Sequence, residues 1–282
     1  MPATAQPAEL DRLLALTHGA VGLAARHVES GREWRYHDRQ PFPSASLIKL
    51  PVLAAFWEAV ERGAIDPAQR IPVPAAARVE GTGVLKALAP GLAPTWQDLA
   101  TLMITVSDNV ATNLLVDRLG IGAIQAWIDA AGLTETRLQR RMMDLDAAAT
   151  GRDNWTSAAD TLELLARIHA GRCVSPEVSA RILRVLEAQQ LQEKLGRRLP
   201  AEARLANKTG NIADVSHDAG VITWPGGTLI VAILTRGVEP VWRAADLIAE
   251  AAVLLLAECQ RRDQASKPQA VRDDASDGAD EG

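Results

Sequence analysis

The stretch Pro43–Leu53, with the sequence PSASLIKLPVL, places a hydroxyl and an amine in a strongly apolar segment. Ser46 and Lys49 are three residues apart, so a helix would carry both side chains on one face. A serine hydroxyl becomes a good nucleophile when a neighbouring base accepts its proton, and a desolvated lysine can be that base. The alternative is a helix-capping Ser46 with Lys49 on a solvated face. The apolar neighbours favour a Lys49 that points into the protein.

Two further short motifs lie downstream. Ser107–Asn109 (SDN) follows an apolar helix, and Lys208–Gly210 (KTG) ends a predicted strand. Alone, the first is typical of a helix N-cap, and the glycine of the second is typical of a close backbone approach. The chain contains one SxxK, one SDN and one KTG, in that order, separated by 61 and 101 residues. Only five residues are lysines, and two of them fall within these motifs.

This ordered triplet resembles the class A β-lactamase superfamily of serine acyl hydrolases, over about residues 8–260. The resemblance implies that Ser46 is the acylated nucleophile and that Lys49 accepts its proton. It implies that Ser107 relays a proton to the leaving nitrogen. Asn109 would hold Lys49 and the acylamino group of the substrate.

The resemblance also implies a substrate-binding strand, comprising Lys208, Thr209, Gly210 and Asn211. Lys208 and Thr209 would bind the substrate carboxylate. The oxyanion hole would consist of the backbone N–H groups of Ser46 and Asn211. His217 stands about where some family members have an arginine that assists carboxylate binding; the alternative is an ordinary exposed histidine.

One segment departs from the family pattern. Family β-lactamases carry Glu-x-x-Leu-Asn in a long loop, where the glutamate activates the water that cleaves the acyl-enzyme. Aligned from Thr136–Leu138, the glutamate falls on Met142, the leucine on Leu145 and the asparagine on Asp146. A thioether cannot activate water, and Asp144 and Asp146 are the nearest carboxylates. Each aspartate either replaces the glutamate or only caps and braces the loop.

The order of predicted elements is a helix, two strands, a block of helices, three strands and a final helix. Strands at both ends of the chain can join one sheet, which predicts an α/β (α+β) fold. We expect a five-stranded antiparallel sheet flanked by the terminal helices, with a separate helical lobe. Residues 1–262 would form one catalytic domain, with an α/β lobe from about 1–45 and 190–262 and a helical lobe from about 46–189. The acidic tail 263–282 is predicted to be disordered.

The element bounds follow from hydrophobic periodicity and breaker residues. Strands are predicted at Val21–Val28, Glu33–His37, Ala203–Thr209, Ala219–Thr223 and Leu229–Thr235. Helices are predicted at Leu10–Leu16, Ser46–Arg62, Leu99–Val106, Asp108–Leu119, Ile121–Ala131, Thr156–Ala170, Pro176–Gln189 and Val241–Cys259. Thr134–Asn154 is predicted to be a long surface loop.

Composition excludes several other classes of protein. The tail holds six acidic and two basic residues, so the rest of the chain is nearly neutral although the net charge is −5. A chain without a basic surface is not expected to bind nucleic acid or an anionic membrane. No apolar run approaches the ~20 residues that span a bilayer. Without a signal peptide the chain as written is expected in the cytoplasm, and in the periplasm or medium only if a signal segment is missing.

The predicted function is a monomeric serine acyl hydrolase without metal or cofactor, acting on a small-molecule β-lactam or a related amide or ester. Cys173 and Cys259 belong to no metal or disulfide motif and are expected to be buried. Two alternatives stay open: a peptidase, amidase or esterase of the same fold, and a penicillin-binding sensor that stays acylated.

Overall fold

A computed structural model describes residues 7–240 and 242–265 of the chain. The strands are β1 Ala20–His27, β2 Glu33–Tyr36, β3 Phe42–Pro43, β4 Trp155–Thr156, β5 Arg204–Ile212, β6 Val215–Trp224 and β7 Gly227–Arg236. Five of them form one antiparallel sheet in the spatial order β2-β1-β7-β6-β5. Strands from both ends of the chain therefore pair in one sheet, which confirms the predicted fold class.

Helices cover both faces of this sheet, because its central strand is apolar on both sides. Along β7, Ile230, Ala232 and Leu234 pack into the core shared with the helical lobe. The alternate residues Leu229, Val231 and Ile233 pack against the terminal helices α1 (Ala8–Ala15) and α9 (Trp242–Ala265). Side chains alternate between the faces of a strand, so a single run of β7 residues joins both cores.

The helical lobe surrounds one central helix. Its helices are α2 Lys49–Glu61, α3 Trp96–Thr105, α4 Asn109–Leu119, α5 Ile121–Ala130, α6 Leu145–Ala149, α7 Ala158–His169 and α8 Pro176–Glu187. α2 is apolar on nearly every side and packs against α3, α4, α5 and α8. A helix that is hydrophobic all round is buried. The first residue of this buried helix is Lys49.

The helix predicted at Ser46–Arg62 begins differently from the expectation. Ala45–Ile48 forms a turn of 3₁₀ helix, and regular α-helix starts only at Lys49. Pro51 explains this start, because its missing N–H is harmless only in the first turn of an α-helix. Ser46 therefore lies on the 3₁₀ turn that precedes α2.

The segment predicted as the loop Thr134–Asn154 contains one short helix, α6, which the periodicity did not reveal. Thr156 does not begin a helix as predicted, since it pairs with Phe42 in the β3–β4 ladder. α7 begins at Ala158, and the side chain of Ser157 caps it. Two-residue strands are too short to show alternation in a sequence.

The end of the chain also differs from the prediction. α9 continues to Ala265, six residues beyond the predicted end, so the first three residues of the predicted tail are helical. An ion pair between Arg262 and Glu258, one turn apart, supports this extension. The rest of the predicted tail lies outside the described residues. Cys173 and Cys259 are buried, as expected.

The described part of the chain contains no helix with the length and apolarity needed to cross a membrane.

Candidate active site

Lys49 lies at the centre of the site and is fully buried. Its Nζ donates to the carbonyl oxygen of Ser107 at 2.7 Å, to Ser107 Oγ at 3.0 Å and to Asn109 Oδ1 at 2.9 Å. Burial lowers the pKa of Lys49 well below its usual value, and the nearby cation of Lys208 lowers it further. The SxxK and SDN motifs are therefore in contact, and the lowered pKa lets the Lys49 amine give up its proton more easily.

Ser46 precedes Lys49 by one turn and is half-buried. Strand β5 passes directly against it at Gly210. A Cβ atom on Gly210 would lie 3.2 Å from Ala45 Cβ and 3.4 Å from the backbone nitrogen of Ser46. The missing side chain therefore lets the KTG strand approach the backbone N–H of Ser46.

Ser107 brings the two lysines together. Its Oγ lies 3.0 Å from Lys49 Nζ and 3.1 Å from Lys208 Nζ. The backbone of Ser107 is left-handed, with φ of 55°, a conformation that costs a non-glycine residue about 1–2 kcal/mol. Hydrogen bonds to its carbonyl from Thr82 Oγ1 (2.7 Å) and from Lys49 hold it there. The hydroxyl is thus fixed between the two lysine amines.

Asp108 has a larger structural role than the helix cap that the sequence predicts. Its Oδ1 caps α4 by accepting from the N–H of Ala111, as expected. Its Oδ2 also accepts from the N–H groups of Val84 and Leu85. Gly83 has a φ of +111°, and a Cβ there would lie 2.4 Å from this carboxylate. The buried aspartate therefore holds a distant loop over the SDN motif, which nothing in the motif itself indicates.

Lys208 is fully buried at the other side of the cleft. Its Nζ donates to Ser107 Oγ and, at 2.8 Å, to the carbonyl oxygen of Thr209. Burial lowers the pKa of Lys208 to about 7. Ser46, Lys49, Ser107, Asn109 and Lys208 are called the acylation cluster below.

Lys194 is a buried cation that the motifs do not include. Its Nζ donates to Asn211 Oδ1 at 2.7 Å, to the carbonyl oxygen of His217 at 2.8 Å and to that of Gly210 at 3.2 Å. Burial lowers the pKa of Lys194 to about 8. The rarity of lysine in this chain was the one signal that could have drawn attention to it.

His217 is buried, so it is not the exposed histidine of the alternative interpretation. It pairs with Gly210 across the strands, and its ring contacts Phe42 edge to face. Nε2 lies 2.9 Å from the carbonyl oxygen of Pro43, and Nδ1 accepts from the N–H of Thr235. Burial lowers its pKa to about 4. Backbone groups occupy both ring nitrogens, and a neutral ring cannot replace an arginine.

The segment 134–154, called the Met142 loop below, approaches the cluster through Asn113. The Asn113 amide accepts from the N–H of Met142 at 2.8 Å and donates to its carbonyl oxygen at 3.1 Å. Asn113 stands one turn after Asn109 on α4, so Met142 lies close to the Lys49 site. The Met142 side chain is buried. Asp144 caps α6, and both Asp144 and Asp146 are exposed.

The neck of the Met142 loop is closed by polar contacts. Arg140 Nε donates to Asp153 at 2.7 Å, and Asn154 Oδ1 accepts from the N–H groups of Gln139 and Arg140. The carbonyl oxygen of Asn154 accepts from the N–H of Ser44 at 2.8 Å. The loop is therefore attached to the segment just before Ser46.

Among the described residues, no group of three or more His, Cys, Asp or Glu side chains is placed to hold a metal ion.

The profile of the "Beta-lactamase enzyme family" matches residues 7–259. The chain belongs to this family. A β-lactamase from Streptomyces fradiae is 30% identical over 88% of this chain and 84% of its own length. The crystal structure of a β-lactamase from Sphaerobacter thermophilus has a TM-score of 0.84 and 32% identity, covering 89% of this chain and 97% of that one. A mutant of PBP-A, solved as its acyl-enzyme complex with penicillin G, has a TM-score of 0.83 and 27% identity, covering 93% and 100%. The protein is thus a serine hydrolase of the β-lactamase type.

Proposed function

We propose that the protein opens β-lactams, or closely related amides or esters, through an acyl-enzyme on Ser46, and that this intermediate is hydrolysed slowly. The observation that carries the proposal is the buried Lys49 amine, held by Ser107 and Asn109 one turn after Ser46. An amine with a lowered pKa gives up its proton more readily and is better suited to act as a general base.

Acylation would proceed through the acylation cluster. Lys49 in its neutral form takes the proton of Ser46 as Oγ attacks the carbonyl carbon. The backbone N–H groups of Ser46 and Asn211 stabilise the oxyanion. Collapse of the tetrahedral intermediate breaks the C–N bond, and Ser107 Oγ delivers a proton to the leaving nitrogen. The Ser107 hydroxyl regains a proton from a neighbouring lysine.

The substrate carboxylate would bind at Lys208 and Thr209. Lys208 is an ammonium below its pKa of about 7 and lies next to Ser107 Oγ. A carboxylate there would place the lactam nitrogen near the same hydroxyl. His217 would take no part in this binding, since both of its ring nitrogens contact the backbone.

Hydrolysis of the acyl-enzyme needs a base next to a water, on the side of the Met142 loop. Met142 offers a thioether, which has no basicity. Asp144 uses one carboxylate oxygen to cap α6, and Asp146 is exposed on the first turn of that helix. Loss of a general base costs about 10²–10⁴-fold. We infer that acylation is faster than deacylation.

Two relatives support this proposal, one by its activity and one by its bound ligand. The Streptomyces fradiae relative is a β-lactamase, and the PBP-A mutant has been solved as a penicillin acyl-enzyme. The second of these also favours a variant of the proposal, in which the chain acts mainly as a protein that binds penicillin covalently. Both versions share the first step at Ser46.

The experiment is mass spectrometry and stopped-flow kinetics with penicillin G and nitrocefin. We expect a stoichiometric burst, a covalent adduct on the peptide that contains Ser46, and slow steady-state turnover. An adduct that never decays would indicate the sensor. No adduct and no turnover would reject β-lactams, and p-nitrophenyl esters and D-alanyl peptides would then be the substrates to screen.

A further inference from the structure

Lys194 has all of its hydrogen-bonding capacity used within the protein. An ammonium has three donors, and Lys194 Nζ has three acceptors: Asn211 Oδ1, the carbonyl oxygen of Gly210 and that of His217. Its side chain is 2% exposed. A cation in this state has no free donor for a ligand, so its role must be sought in the groups that it holds.

Two of these acceptors, the carbonyl oxygen of Gly210 and Oδ1 of Asn211, belong to residues that one peptide bond joins. The C=O of Gly210 and the N–H of Asn211 are parts of the same peptide group, and in a trans peptide they point in opposite directions. Lys194 therefore binds the carbonyl end of the peptide whose other end carries the Asn211 N–H. It also holds the side chain of Asn211.

The direction of that N–H follows from Thr209. The carbonyl oxygen of Thr209 accepts from Lys208 Nζ, which lies in the cleft beside Ser107. Residues two apart on a strand point their backbone groups to the same edge. β5 is an edge strand, so the Asn211 N–H points to the open edge, where the Thr209 carbonyl binds Lys208 Nζ, and not to β6.

Lys194 is itself held in place. The N–H of the next residue, Leu195, donates to Asp218 Oδ2 at 3.0 Å, and Asp218 Oδ1 accepts from Asn207 Nδ2 at 2.9 Å. Asp218 is buried on β6, beside the strand that it helps to orient. The backbone next to Lys194 is thus held in place by Asp218 where the cation contacts β5.

We propose that Lys194 is a positioning residue that orients and polarises the Gly210–Asn211 peptide, so that the Asn211 N–H is a strong oxyanion donor. The inference rests on the proposed acylation of Ser46. A cation on the carbonyl oxygen draws electron density through the peptide, and hydrogen bonds in such a chain strengthen one another. The same contact restricts rotation of the peptide.

The test compares Lys194→Met with Lys194→Arg, which keeps a charge and donors. Arg197→Met is the matched control, since Arg197 lies on the same 3₁₀ turn (Leu195–Arg198) and pairs with Asp246 on the surface. We expect Lys194→Met to slow acylation by about tenfold to hundredfold, below the cost of losing an oxyanion donor outright. Lys194→Arg should recover most of the rate, and Arg197→Met should retain all of it. Lys194→Gln replaces Lys194→Met if the latter does not fold.

The substrate pair is penicillin G and its methyl ester. A positioning role predicts the same fold-loss for both, because the oxyanion forms in both. A loss confined to the free acid would show that Lys194 binds the carboxylate, and would overturn the proposal. Equal rates for Lys194→Met and the parent would overturn it as well.

The NMR chemical shifts of the Asn211 amide separate this inference from the proposed function. In Lys194→Met the amide ¹H and ¹⁵N shifts of Asn211 should move away from those of the parent, because no cation polarises the peptide, and in Arg197→Met they should not. If no β-lactam acylates the parent, the proposed function fails, while these shifts still test the contact. Unchanged Asn211 shifts in Lys194→Met would reject the positioning role.

Discussion

The acylation cluster and the Met142 loop lie side by side, and they use polar groups in opposite ways. In the cluster, buried side chains hold one another, and burial lowers the pKa values of Lys49 and Lys208. Around the loop, the amide side chains of Asn113 and Asn154 hold backbone atoms of the loop. Met142, the loop residue whose backbone is held in this way, has an apolar side chain. The comparison shows that the contacts that hold a loop in place do not require a reactive side chain at the residue they hold.

The most severe way to break the acylation cluster is Ser46→Ala. We expect acylation to fall below detection, since the variant lacks the oxygen that would form the acyl bond. Lys49→Met should slow acylation by roughly 10²–10⁴-fold, the effect of losing a general base. Labelling with a fluorescent penicillin measures both. Ser175→Ala removes a remote helix-capping hydroxyl and serves as control. A Ser46→Ala protein that still labels would contradict the nucleophile assignment.

The second change introduces a general base into the Met142 loop. Met142→Glu places a carboxylate where Asn113 already holds the backbone. We expect steady-state turnover of penicillins to rise by up to about 10²-fold, and the acylation rate to change much less. Single-turnover and steady-state kinetics separate the two steps.

Asp144→Asn and Asp146→Asn are the matched controls for that experiment, and they should leave turnover of the parent unchanged. A collapse of turnover in either variant, with no burst in the parent, would mean that an aspartate activates the water.

The third prediction concerns the pH dependence of acylation, which tests the acylation cluster and not the Met142 loop. Lys208 has a pKa of about 7 and binds an anionic carboxylate only as an ammonium. The second-order rate constant of acylation should therefore fall as pH rises through about 7, approaching tenfold per pH unit. Lys208→Arg keeps its charge, so this decline should disappear. An identical decline in both proteins would assign it to another group.

The smallest effect is expected from loosening the loop without touching the cluster. Asn113→Ala removes both hydrogen bonds to the Met142 backbone, which should lower the free energy of unfolding by about 1–3 kcal/mol. Acylation should stay within a few-fold of the parent. Thermal unfolding and labelling measure these two quantities, with Thr101→Ala on an exposed face of α3 as control. A large loss of acylation would show that loop and cluster are coupled through α4.

The sequence predicted the parts of this site that local chemistry determines. Ser46 and Lys49 are one turn apart, and the apolar residues around Lys49 in the sequence correctly indicated that its side chain is buried. The strands were identified because alternation and breaker residues are local signals. Even there, β6 begins at Val215 and not at Ala219, since polar residues at its start are buried against neighbouring elements.

What could not be predicted depends on contacts between distant segments. Lys194 binds backbone carbonyls 16 and 23 residues away, and carbonyls have no sequence signature. The sequence leaves two interpretations of His217, a substrate-side residue or an exposed histidine, whereas strand register puts it opposite Gly210 with its ring against the Pro43 carbonyl. A shift of one residue in register reverses the face of every side chain, and the sequence does not fix it here.

The short β3–β4 ladder joins the end of the Met142 loop to the residues just before Ser46. Phe42 pairs with Thr156 and Pro43 with Trp155, and the N–H of Ser44 binds the carbonyl oxygen of Asn154. Regions linked in this way open together as one cooperative unit. A proteolytic cut within the loop would therefore weaken the anchorage of Ser46, although no side chain of the acylation cluster is removed. Fragments of this protein that lack an intact loop should be inert as well as unstable.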